Sequence, residues 1–180
     1  MVRLDDRLWL LWAVLILVLP LKWLLCAVLA AAVHELFHIG TVCLLGGRIR
    51  GIRIAPLGAV IAAEEISGYR EALCALAGPA GSFLMVLLIR RFPVLGLCAL
   101  VQGSFNLLPV YPMDGGRAVR CLLEAACPLR AVKTAAVIEI TVLFGLLAAV
   151  VGASVRYSLG WYPTVVCILA ILNAILRKRP

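Results

Sequence analysis

Apolar residues run along this chain in blocks too long and too even to be one face of a soluble helix, with polar residues gathered in the gaps. The blocks predict six membrane segments at roughly Leu8–Leu21, Trp23–Leu45, Ala72–Ile89, Val94–Leu108, Ala131–Val151 and Leu159–Leu176. A helix crossing ~30 Å of hydrocarbon needs about 20 apolar residues. The second, third, fifth and sixth blocks meet or approach that length. The first is short, and the fourth is interrupted by polar residues toward its end. One stretch has a different period. Gly46-Gly47 ends the second block, and Arg48-Ile49-Arg50 then alternates polar and apolar. The phase slips at Gly51 before Ile52-Arg53-Ile54 alternates again, a bulge signal in a strand. With a turn at Pro56-Leu57-Gly58, residues 47–65 read as a β-hairpin at the membrane boundary. The fold class is therefore an all-α polytopic membrane protein of about six transmembrane helices with a short membrane-associated β-hairpin. It is read as a single domain over residues 1–180 with no soluble regulatory domain.

Composition supports that solvent. Of the 180 residues, 64% are apolar and 14% charged, whereas a soluble domain is nearer half apolar and a quarter charged. This excludes a secreted domain, a disordered tail and a soluble nucleic-acid binder. The net charge of +8 fits short loops between membrane segments better than a nucleic-acid partner. With six crossings and the N-terminus inside, 13 of the 17 basic residues fall in inside loops, and only Lys22, Arg90, Arg91 and Arg156 fall outside. Both termini are thus expected in the cytosol. The seven cysteines form no CxxC pair and most sit within apolar runs, so they read as small apolar residues.

The second block carries His34-Glu35-Leu36-Phe37-His38, which holds both histidines of the chain. Residues i and i+4 share a helix face, so both imidazoles can reach one metal ion, with Glu35 as general base for an attacking water. A charged residue at membrane depth costs several kcal/mol, of order 2.5–3.5 on insertion scales, and points to function. Zinc in a hydrolase needs a third protein ligand and keeps a fourth position open. With no third histidine, that ligand is a carboxylate or a thiolate. Glu64, Glu65, Glu71, Glu124 and Glu139 are candidates, and Asp114 is the best of them. It sits in Asn106-Leu107-Leu108-Pro109-Val110-Tyr111-Pro112-Met113-Asp114-Gly115-Gly116-Arg117. Two prolines there oppose a regular helix, and two glycines are read as a sharp turn after the aspartate. Irregular backbone at membrane depth is tolerated where it is buried in protein or lines a wet cavity.

Together, His-Glu-x-x-His in one membrane helix and Asn-x-x-Pro-x-x-Pro-x-Asp-Gly far downstream resemble the site-2 protease family of intramembrane zinc metalloproteases. The branch most similar is the stage IV sporulation protein FB type. Arg48–Glu65 is similar to that branch's membrane-entering hairpin, and Gly78-Pro79-Ala80-Gly81-Ser82 to its Gly-Pro helix. The resemblance implies one Zn2+ held by His34, His38 and Asp114, water activation by Glu35, and an extended substrate steadied by Asn106 and Pro112. It implies a membrane-tethered protein substrate cut in or beside the bilayer, a pro-sigma factor in a sporulating mother cell being one instance. It further implies the bacterial cytoplasmic membrane or a membrane around the forespore, with inhibitor or activator membrane proteins as partners. Many relatives carry a nucleotide-sensing or PDZ domain that this sequence lacks, so control by an energy signal is not expected here.

Other residues have plainer readings. Gly78, Gly81 and Ser82 are expected to serve close helix packing. Arg117 reads first as a topology charge, and Glu139 as pairing with a loop arginine such as Arg130 or Arg117, facing a wet cavity or carrying a proton. A small metal transporter or a non-catalytic scaffold are the alternatives. Glu35→Gln separates them, because only proteolysis depends on that carboxylate.

Overall fold

The computed structural model describes residues 2–4, 16–17, 19–55, 58–64, 67–158, 160–165 and 167–168. The first expected segment, Leu8–Leu21, and the last, Leu159–Leu176, lie mostly outside the described residues.

Helix α1 spans Leu21–Leu44 and starts directly after Pro20, which cannot extend a helix backward. Its far end is closed by the glycine pair. Gly46 takes φ +77°, and the Gly46 and Gly47 amides donate to the carbonyls of Cys43 (3.1 Å) and Val42 (2.9 Å). This 6→1 and 5→2 pairing is the Schellman closure, for which a residue without a Cβ is best suited. The chain then enters strand β2 (Arg48–Ala55), which pairs antiparallel with β3 (Gly58–Glu64). The register shifts between Ile49 and Gly51. A short strand β1 (Val2–Leu4), which the sequence pattern did not suggest, runs parallel to β2 and gives the order β1-β2-β3.

Helix α2 spans Tyr69–Val86, α3 Pro93–Asn106, α4 Asp114–Ala126 and α5 Ala131–Arg156. The expected third block ran to Ile89, but residues 87–91 are turns that return the chain toward α3. A larger correction concerns Asp114. The two glycines after it make no turn; Asp114, Gly115 and Gly116 open α4. A Cβ on Gly115 would run into the Leu107 backbone, and one on Gly116 into the Val110 backbone. These glycines allow close approach rather than unusual backbone angles.

Helix α2 is the hub, packing against α1, α3 and α4, while α5 rests on α4. One core cluster joins Ala30, Met85, Leu95 and Ala99; another joins Ala72, Ala75, Ala118 and Cys121. Small residues line α2 because neighbours come in close. The Phe37 ring covers Gly81, and Gly103 of α3 sits against Ser82. Among the described residues, α1 and α5 are long and apolar enough to cross a membrane. Only 11% of the apolar window of α5 is buried. Val137, Phe144 and Val155 all face outward. That surface suits hydrocarbon, not water.

Candidate metal centre

Helix α1 carries His34 and His38 one turn apart, 2% and 6% exposed. Asp114, 8% exposed, is the first residue of α4 and meets them from the opposite side. Asp114 Oδ2 lies 3.0 Å from His34 Nε2 and 3.2 Å from His38 Nε2, and the two Nε2 atoms are 3.2 Å apart. Among the described residues, this is the group of three or more His, Cys, Asp and Glu side chains whose donor atoms converge.

The far nitrogens of the rings fix what faces the centre. His38 Nδ1–H donates to the Cys74 carbonyl oxygen at 2.7 Å, and a carbonyl has no proton to give back. A neutral His38 ring therefore turns its Nε2 lone pair inward. His34 Nδ1 meets the Ser82 hydroxyl at 2.9 Å, and the tautomer that donates there turns the same lone pair inward. Two imidazole nitrogens and a carboxylate oxygen then meet at 3.0–3.2 Å, a donor set of the kind that can hold a metal ion. A tetrahedral zinc with bonds of about 2.0–2.1 Å would set its ligand atoms about 3.3 Å apart. The residues fit one such ion, with a fourth position left over.

The support comes from one face of α2. Cys74, Gly78 and Ser82 are spaced by four, as are His34 and His38 on α1. Ser82 backs His34, the Cys74 carbonyl backs His38, and Gly78 lies beneath both rings. A methyl group on Gly78 would collide with the Nε2 atoms of both histidines. Packing alone was expected of Gly78 and Ser82, and that reading is corrected here. Ser82 is fully buried with its hydroxyl on His34, and Gly78 clears the volume in which the donors meet. The signal was present as matching four-residue spacings, but two helices must first be known to pack before such spacings can be paired.

Arg117 is likewise more than a loop charge. Its Nη1 lies 3.6 Å from Asp114 Oδ1, one helical turn away, and so steadies the carboxylate oxygen that does not face the histidines. The Arg120 guanidinium lies 4.5 Å over the Tyr111 ring, tying α4 to the segment that delivers Asp114. Glu35 is half-buried between the two histidines. Asn106 and Pro112 are not part of the cluster. The Asn106 amide donates to the Gln102 carbonyl at 3.1 Å on its own helix, and Pro112 is exposed. Glu71, Glu124 and Glu139 also lie apart from it. Cys121 stays a neutral thiol: burial first, then the Glu71 carboxylate, pushes its pKa up to about 11.

A buried two-histidine, one-carboxylate centre between an apolar helix and a small-residue helix is a donor set suited to a single metal ion. Known proteins share both the sequence and the fold. Residues 86–150 match the model of Peptidase family M50. A zinc metalloprotease of Methanocaldococcus jannaschii is 34% identical over 157 residues, covering 76% of this chain and 44% of that protein. Stage IV sporulation protein FB of Bacillus subtilis is 29% identical over 144 residues, covering 72% of this chain and 50% of that one. The chain thus spans about half the length of the curated relatives it matches. The solved site-2 protease from Methanocaldococcus jannaschii has the same fold, with TM-score 0.67 over 99% of this chain and 91% of that one at 24% identity. Over residues 86–150 the chain is similar to Peptidase family M50, and its fold is that of the solved site-2 protease.

Proposed function

We propose that this chain is an intramembrane zinc metalloprotease that cuts a membrane-tethered protein in or beside the cytosolic half of the bilayer. The observation that carries the reading is the convergence of the His34 and His38 Nε2 atoms and an Asp114 carboxylate oxygen within 3.2 Å. When bound there, zinc supplies a Lewis acid that polarises a peptide carbonyl and makes water acidic enough to react at neutral pH.

The chain's own residues do the rest. Glu35 takes the proton of the attacking water and passes it to the leaving amine. Ser82 and the Cys74 carbonyl hold the two rings, and Arg117 holds Asp114. Asn106 and Pro112 flank the path of an extended substrate. Strand β3 is an edge of the sheet among the described residues, and its free amides and carbonyls can pair with that substrate. A substrate helix must unwind before attack, because its backbone is internally bonded. Six membrane helices, a membrane-associated hairpin over 47–65 and both termini in the cytosol complete the reading. Likeness to stage IV sporulation protein FB makes a membrane-tethered pro-sigma factor the first substrate to try.

Co-expression with such a tagged factor tests this reading. A shorter product with the native chain and none with Glu35→Gln is expected. Intact substrate with both would overturn the pro-sigma assignment, and equal cleavage with both would overturn the catalytic one.

A further inference from the structure

Away from the metal centre, a cavity of about 370 Å³ opens between the start of α1 and the turn that joins α2 to α3. Its walls are apolar, with Cys26 and Leu29 from α1 and Leu88, Phe92 and Leu95 from the other side. Two cations stand at it, Lys22 in the first turn of α1 and Arg91 just before α3. Both are exposed, and Arg90 adds a third positive charge to the same turn. Nothing in the surrounding sequence balances them. No Asp or Glu occurs between Asp6 and Glu35, or between Glu71 and Asp114. The first turns of α1 and α3 hold no acidic residue.

Lys22 precedes His34 by 12 residues, which is about 18 Å along a helix rising 1.5 Å per residue. The cavity therefore lies at one end of the membrane-type helix while the metal centre lies deep within it. Trp23, exposed beside the cations, is a residue that favours the headgroup level. The ligand must then be anionic at the cations, apolar along the lining and available at a bilayer surface. Free phosphate would meet the charges but gain nothing from Cys26, Leu29 and Leu95.

We propose that this cavity binds one anionic phospholipid, its phosphate between Lys22 and Arg91 and an acyl chain along Cys26, Leu29 and Leu95. The proposal rests on the membrane reading above but not on proteolysis. The lipid bridges α1 to the α2–α3 turn, and so supports the helix that presents His34 and His38 from its far end.

The test is native mass spectrometry of the full chain in detergent, on a Glu35→Gln background. Phosphatidylglycerol and phosphatidylcholine of identical chains are offered separately. The chain with both cations should retain one phosphatidylglycerol in preference to phosphatidylcholine. Lys22→Gln with Arg91→Gln should lose that preference, on the order of fivefold per cation removed. Lys22→Arg with Arg91→Lys should keep it, and Cys26→Phe, which fills the cavity but leaves the charges, should lower retention of both lipids. Equal retention of the two lipids by the chain with both cations would overturn the site. So would undiminished phosphatidylglycerol in the double Gln variant, or its loss from the charge-keeping one. A chain that stays monodisperse without detergent would instead overturn the membrane reading itself.

Discussion

Ser82 Oγ and His34 Nδ1 are 2.9 Å apart across the α1–α2 interface, although 48 residues separate them in the chain. Ser82 is fully buried, so water cannot take its place. The bond holds the His34 ring with its Nε2 toward Asp114. Removing such a partner from a metal-bound histidine commonly costs 10–100-fold in metal affinity, roughly. Ser82→Ala should weaken zinc by about that factor, while Ser82→Thr, which keeps the hydroxyl, should retain most of the affinity. Competition against a chromogenic chelator measures both, and an unchanged affinity in Ser82→Ala would remove the residue from the site.

Gly78 and Gly40 offer a matched pair of tests. A Cβ at Gly40 meets nothing within 4 Å, whereas one at Gly78 meets the Nε2 atoms of both histidines. Gly78→Ala should therefore abolish zinc loading, and Gly40→Ala should leave it intact with slightly greater helix stability, about 0.5–1 kcal/mol. Metal analysis of the two purified variants decides the point. Zinc retained in Gly78→Ala at the native level would mean that α2 can move away from the rings at little cost.

The two tests mark the limits of what was legible in the sequence. The pair His34 and His38 announced itself, because residues four apart on a helix need no knowledge of the fold to be placed together. Asp114 was reached by elimination among carboxylates, aided by the proline-rich segment before it. Ser82, Gly78 and the Cys74 carbonyl were not legible as site groups. Their parts depend on α1 and α2 packing with Ser82 at His34 and Cys74 at His38, and backbone carbonyls leave no mark in side-chain identity. Helix α4 was missed for a related reason. Gly115-Gly116 carries a turn signal, yet close approach to the Leu107 and Val110 backbones is what excludes a side chain there. The glycine phase slip in the alternating stretch coincides with the register shift between Ile49 and Gly51, a local signal of the kind that sequence carries well.

Glu35 separates metal binding from turnover. It lies outside the converging group of three, so Glu35→Gln should keep zinc at native stoichiometry. General acid–base catalysis typically contributes about 10²–10⁴-fold, and the variant should lose at least that much cleavage rate. Zinc content and cleavage are measured on the same preparation. If zinc and cleavage fall together in proportion, the carboxylate is holding the site and not moving a proton.

Removing the metal should loosen the fold as well as stop the reaction. Without the metal, the donor atoms that meet at 3.0–3.2 Å are joined only by shared protons, which hold three side chains less firmly than a bound ion does. A ligand present at 100 times its Kd stabilises the folded state by about 2.7 kcal/mol. For a chain of this size, that corresponds to a thermal shift on the order of 5–10 °C. Chelator-treated protein should unfold that much earlier, and added zinc should restore the difference. Asp114→Asn keeps the side-chain shape but lacks the charge, so it should respond weakly to zinc at the same concentration. Arg117→Ala should fall between the two, since it loosens the carboxylate without removing it. An Asp114→Ala chain that kept full zinc occupancy and the full thermal shift would require another ligand, and the buried aspartate would then have to be explained by its contact with the histidines alone.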